Sequence, residues 1–193
     1  MYAGVRPGIL ARPGLVWSVL TCTLFALMTG VFARVAIPLP FTPVPFTLQP
    51  MAVVLTGFLL GSRLGAAAMV EYFIMGALGA PVFAGGFGLE HAAVVTGSLG
   101  YIIGYPFAAW VTGRLSERSS RAMAQLIFAG CVGMIVLYTS GVAYLAGWMN
   151  VVQHVGGLEL IRRAIVAGAF PFILFDVVKV AIAASVSRRK LFD

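Results

Sequence analysis

Long apolar runs broken by short polar or proline-rich connections dominate the chain. Residues 13–33 contain no charged side chain between Arg12 and Arg34, which predicts a first membrane span. Further runs predict spans at 50–61, 64–79, 92–112, 123–148 and from 171 to just before Ser187. Pro50 suits the first turn of the second span, because proline lacks the N–H that a helix start leaves unused. Ser62-Arg63 reads as a short turn. Gly57, Gly61 and Gly65 recur every four residues, a spacing that lets helices approach closely if one helix continues through them.

Three connections are not ordinary loops. Segment 37–46 carries four prolines in eight positions yet stays apolar. Proline removes backbone donors and steers its predecessor away from the helix, so this segment is extended or turning. A hydrophobic non-helical segment beside a membrane lies on protein or lines a cavity. Residues 80–88 form a second such loop, rich in glycine. At 156–169, Leu158, Leu160, Ile161, Ile165 and Val166 alternate with Glu159, Arg162 and Arg163. That pattern predicts a short amphipathic helix at the interface.

Composition strengthens this reading. Only 10% of residues are charged and the mean hydropathy is +1.01, where a soluble domain carries roughly a quarter charged residues. Six spans of about 20 residues use most of the chain, so 1–193 is expected to form a single membrane-embedded domain in a lipid bilayer. The first run is too long for a signal peptide and lacks a cleavage pattern. The formal charge of +7 comes from clusters between apolar runs, a topological signal and not a nucleic-acid-binding stripe. With the N-terminus cytoplasmic, nine basic residues fall inside (Arg6, Arg12, Arg63, Arg114, Arg118, Arg121, Arg188, Arg189, Lys190) and three outside (Arg34, Arg162, Arg163). Both termini are therefore expected in the cytoplasm, with the three structured connections outside.

Within the spans stand Glu71, Asp176 and Lys179, each costly in lipid unless it faces protein or a wet cavity. Asp176 and Lys179 are three apart and share a helical face. They fit either an internal salt bridge or a polar pair that orients a ligand. Glu71 receives no role. Tyr138, Tyr144, Tyr105 and Trp148 read as anchors at span ends, His91 and His154 as loop residues, and Cys22 and Cys131 as small buried hydrophobes. No phosphate loop, catalytic set or metal-ligand spacing is present, so neither an enzyme nor a cofactor or metal site is expected.

Four segments together carry a resemblance. Residues 37–49, the stretch from Tyr72 through Ala80-Pro81-Val82-Phe83-Ala84-Gly85-Gly86, the run Gly100-Tyr101-Ile102-Ile103-Gly104-Tyr105, and Pro171-Phe172 followed by Asp176 and Lys179 closely resemble the motifs of the BioY family. Members are biotin-binding S components of energy-coupling factor (ECF) transporters. Departures lie at 96–99, at Phe175 and at Glu71, and leave the fold untouched.

The resemblance implies an all-α membrane protein of six transmembrane helices, the S-component fold, in a bacterial-type cytoplasmic membrane. It implies biotin as the transported ligand, bound from outside by Asp176 and Lys179. Phe41, Phe83 and Tyr101 would form apolar walls, with Gly85, Gly86 and Gly100 lying close to the ligand. A transmembrane coupling protein and ATPase subunits would be the partners. The first span would be the docking face, and its stripe of Ala26, Gly30 and Ala33 suits either that contact or packing within the bundle. An S component for another vitamin and a self-sufficient secondary transporter are the alternatives. The first would lack the proline string, and the second would show internal repeats.

Overall fold

A computed structural model describes residues 14–84, 88–92 and 96–188. In chain order the elements are α1 (Leu15–Ala33), β1 (Ala36–Leu39), β2 (Thr42–Thr47), α2 (Gln49–Ala77), α3 (Leu99–Glu117), α4 (Met123–Gln153), α5 (Gly157–Gly168) and α6 (Ile173–Arg188). By length and composition alone, α1, α2 and α4 are long and apolar enough to cross a membrane, and the bent pair α5–α6 would be a fourth if it formed one span.

That count treats α2 as one rod, which it is not. Gly61 sits at φ 80°, ψ −175°, a backbone shape essentially closed to residues with a side chain. The chain reverses there. Gln49 Nε2 donates to the Tyr72 hydroxyl at 2.6 Å, whereas a continuous helix would hold them about 35 Å apart. Residues 49–60 and 62–77 are thus two antiparallel arms, matching the two spans expected at 50–61 and 64–79. Gly57 and Gly65 do not continue one stripe. They meet each other across the hairpin, where a Cβ on Gly65 would lie 3.3 Å from the Gly57 Cα.

The turn is locked from α3. Glu117 accepts hydrogen bonds from the Ser62 amide at 2.7 Å and from its hydroxyl at 3.0 and 3.1 Å. A carboxylate there also complements the positive start of the second arm. Gly113 leaves room for the turn, since a Cβ would stand 2.5 Å from the Gly61 carbonyl carbon. Arg121 closes the same end by donating to the Phe58 carbonyl at 3.1 Å.

The proline segment folds as a two-stranded antiparallel hairpin, Ala36 opposite Thr47 and Leu39 opposite Thr42. A free ribbon tolerates its prolines because each strand has an unpaired edge. This adds a small sheet to a chain expected to be wholly helical. Tertiary bonds pin the hairpin at both ends: Thr42 Oγ1 donates to the Ala167 carbonyl at 2.8 Å, and Lys179 Nζ to the Thr47 carbonyl at 2.6 Å.

Helix α3 starts seven residues later than the pattern suggests. Gly97 takes φ 61° under the Trp148 ring, so the chain turns there before the helix begins. The hairpin, the loop following α2 and α5 gather at one end of the bundle; the Gly61 turn and its arginines occupy the other. This is the two-ended arrangement expected from the charges. Arg6, Arg12, Arg189 and Lys190 lie outside the described residues.

On α1, Leu15, Val16, Leu20, Leu24 and Val31 point outward, while Ala26 and Ala33 are 0% exposed and Gly30 is buried. Gly30 abuts Val82. The small-residue stripe is therefore consumed inside the bundle and does not form an outward docking face. The small residues let α1 pack closely on its own chain. Glu71 lies in the α1–α2 seam, where its Oε1 accepts from Thr23 Oγ1 at 2.5 Å.

Candidate ligand cavity

Asp176 and Lys179 stand on successive turns of α6, 4% and 6% exposed. Their ion pair measures 2.7 Å. Isolated, each charge would cost several kcal/mol to bury, and the surroundings supply the compensation. Tyr138 of α4 donates to Asp176 Oδ2 at 2.5 Å. Lys179 gives a second bond to the Thr47 carbonyl and lies 3.9 Å from the centroid of the Phe46 ring, a favourable cation–π position. Asp176 also falls in the first turn of α6, where the helix dipole favours negative charge.

These groups form the foot of a cavity with about 540 Å3 of empty space, including its open mouth. Strand β2 contributes Val44, Pro45 and Thr47; α2 begins within it at Gln49 and Pro50; α3 supplies Tyr101, Ile102 and Tyr105. Strand β2 thus gives the cavity two apolar side chains and, at its end, the Thr47 carbonyl that Lys179 holds. An outer chamber of about 660 Å3 adjoins it, lined by Pro38, Thr42, Phe83, His91 and Thr96. The chambers share Pro45, Ala84 and Ser98. A ligand with a polar head and an apolar stem could occupy both.

Tyr101 is fixed at both faces. Its hydroxyl donates to the Gly168 carbonyl at 2.6 Å, and its ring rests where Gly141 has no side chain. Phe83 is fully buried, seated against Gly76 and edge-on to Tyr72 at 5.4 Å. Tyr72 donates to the Val82 carbonyl at 2.9 Å, so the second arm of α2 shapes the loop that walls the outer chamber.

Asp176, Lys179, Tyr101 and Phe83 thus converge on the two chambers. Phe41 does not: it sits at the hairpin turn, 64% exposed, because the two-residue turn directs it away from the cavity. Gly100 packs on Tyr144 and Ser140 of α4, so it serves helix contact and lines neither chamber. Gly85 and Gly86 lie outside the described residues. Gln49, Thr47, Ser98, Tyr105 and Tyr138 join the site without having been singled out for it. Tyr138 carried a usable signal, since its hydroxyl falls midway along a long apolar run where no interface exists. Gln49 is likewise a polar residue at the edge of such a run.

Among the described residues no group of three or more His, Cys, Asp or Glu side chains could hold a metal ion.

The family model described as "BioY family" matches residues 10–191. The chain is 38% identical over 167 residues to the probable biotin transporter BioY of Pyrococcus horikoshii, covering 86% of this chain and 91% of that protein. It is 37% identical over 154 residues to the biotin transporter BioY of Thermotoga maritima, covering 79% and 84%. Against that of Rhizobium etli the identity is 34% over 178 residues, covering 88% and 90%. A crystal structure of the S component for biotin from an ECF-type ABC transporter superposes with a TM-score of 0.73 over 90% of each chain, at 23% identity. That likeness establishes the same fold. With the family model spanning nearly the whole sequence, this chain belongs to the BioY family.

Proposed function

We propose that this chain captures biotin from outside a bacterial-type cytoplasmic membrane and serves as the S component of an ECF transporter. The observation that carries the reading is the buried Asp176–Lys179–Tyr138 cluster at the foot of a largely apolar cavity. Biotin's ureido ring offers two N–H donors and one carbonyl acceptor. An ionised carboxylate has about four acceptor positions, and Lys179 and Tyr138 use two of Asp176's, which leaves acceptors for the ureido N–H groups. Tyr105 and Gln49 stand nearby for the carbonyl, while the aromatic walls suit the thioether ring and the apolar stem of the valerate.

Family membership supports the same ligand, and it supports a coupling protein with ATPase subunits as the source of energy. The positive-inside rule supports placing the Gly61 end in the cytoplasm and the cavity outside.

Equilibrium binding of biotin to the purified chain, with Asp176→Asn and Lys179→Ala alongside, tests the reading. Tight binding weakened by both substitutions is the expected result. A folded chain that binds no biotin would overturn it, and a vitamin screen would follow.

A further inference from the structure

A second groove opens on the outer face beside the hairpin turn. Phe41 and Thr42 form one bank, Met149 lies between, and Arg162 and Arg163 of α5 form the other. Thr42 and Pro43 also line the outer chamber, so one strand separates groove from cavity.

Both guanidiniums turn toward one carboxylate. Arg162 donates to Glu159 through Nε at 2.8 Å and Nη2 at 2.7 Å, and Arg163 through Nε at 2.7 Å. One negative charge neutralises only one of two cations, so the groove keeps a surplus positive charge. A guanidinium has five N–H donors, and these bonds occupy two on Arg162 and one on Arg163. The arginine side chains are 68% and 54% exposed, leaving the remaining donors open to an outside acceptor. Glu159 meanwhile fixes both forks in place, which lowers the entropy lost on capture.

The inner cavity lacks such a surplus. Lys179 is matched by Asp176, and Arg34, bonded to the Pro81 carbonyl at 3.0 Å, lines neither chamber. An anionic ligand is therefore drawn first to the α5 pair.

We propose that Arg162 and Arg163 form an outer docking site for the carboxylate of a small ligand with an apolar stem, occupied before the ligand passes the hairpin into the cavity. Phe41 and Met149 flank the stem in this first complex. The Thr42–Ala167 bond is the latch that the ligand must then displace. The inference rests on the biotin reading, whose ligand ends in such a carboxylate.

The test uses the full chain in zwitterionic nanodiscs, with radiolabelled biotin and its uncharged amide followed by rapid filtration. At about 20 mM salt, where charges are weakly screened, Arg162→Gln/Arg163→Gln should slow biotin association roughly tenfold, within the range that focused surface charge provides. Dissociation of biotin should slow by a similar factor, because the final complex does not touch the arginines and its affinity is unchanged, while the rates of the amide should not change. Glu159→Gln, which raises the surplus charge, should speed biotin association. Unchanged biotin association in the double variant overturns the proposal and leaves the arginines to lipid headgroups. Equal slowing of biotin and amide also overturns it, pointing to a disturbed hairpin. If neither ligand binds the parent chain, the failure lies with the biotin reading itself; if biotin binds with unaltered rates, it lies here alone.

Discussion

Lys179 and Thr47 are 132 positions apart, yet the lysine ammonium donates to the threonine carbonyl at 2.6 Å. Through this bond and its ion pair with Asp176, one side chain joins α6 to the end of the hairpin and sets the floor of the cavity. The salt-bridge and ligand-pair readings open at the sequence level are therefore compatible, because the same two residues hold the bundle together and line its cavity.

Lys179→Ala removes a cation from a buried carboxylate. Breaking one side of such a pair costs about 3–5 kcal/mol, so the variant should unfold at lower denaturant in detergent. The double variant Asp176→Asn/Lys179→Met should recover most of that stability while biotin affinity stays low. Recovery of affinity together with stability would make the pair purely structural.

Tyr138→Phe deletes one hydroxyl and leaves the ring. The lost bond is to a charged acceptor, worth about 1.5–3 kcal/mol, so calorimetry should show biotin binding weakened roughly tenfold or more. The far-ultraviolet spectrum should stay that of the parent while the unfolding midpoint falls, because the bond already exists in the unliganded chain.

The Gly61 turn should be intolerant. Gly61→Ala forces a side chain into a glycine-only conformation, at about 1–3 kcal/mol. Gly113→Ala meets the turn's backbone, which cannot yield as a side-chain tip would, and should cost at least as much. Thermal unfolding in detergent measures both; a midpoint unchanged by either would mean that the arms do not require this turn.

Gly30→Leu separates the two uses of the α1 stripe. Because Gly30 abuts Val82 inside the bundle, the substitution should lower the stability of the isolated chain, with no partner present. A docking residue would leave the isolated chain unaffected and lower only assembly with the coupling protein.

Glu159 should titrate low. Hydrogen bonds from Arg162 and Arg163 hold its carboxyl at about 2, below the ordinary 4.5. Since the folded value is the depressed one, the contribution of these bonds is fully present above about 4.5 and is lost as pH falls through about 2. Carboxyl carbon NMR of the labelled side chain gives the midpoint directly. A midpoint near 4.5 would mean that the two arginines do not hold it.

Apolar length and proline placement made the spans and the hairpin's position legible, because both act on local backbone chemistry. Asp176 and Lys179 were legible because charge inside an apolar run demands a partner. The α2 reversal was legible from Ser62-Arg63 between two apolar runs, and the Gly61 backbone and the bond between Gln49 and Tyr72 bear it out; the fourfold glycine spacing alone did not say whether Gly57 and Gly65 continue one stripe or meet across a turn. Tyr138 and Phe41 illustrate the remaining gap. Which way an aromatic ring points depends on the rotation of its helix or the direction of its turn, and these are set by packing against α6 and α5. The stripe of Ala26, Gly30 and Ala33 marks close approach but carries no information about which neighbour approaches.

The reversal at Gly61 also leaves the two arms of α2 short beside the 31 residues of α4. Arms of 12 and 16 residues are about 18 and 24 Å long, and the 16 residues of α6 give about 24 Å, against a hydrocarbon core near 30 Å. The first arm lies inside the bundle, so only lipids beside the second arm and α6 must compress, at a fraction of a kcal/mol for each Å of shortfall. Bilayer thickness thus becomes a thermodynamic variable for this protein: shorter acyl chains relieve the deformation, and longer ones reward any tilt or association that removes the short helices from contact with lipid.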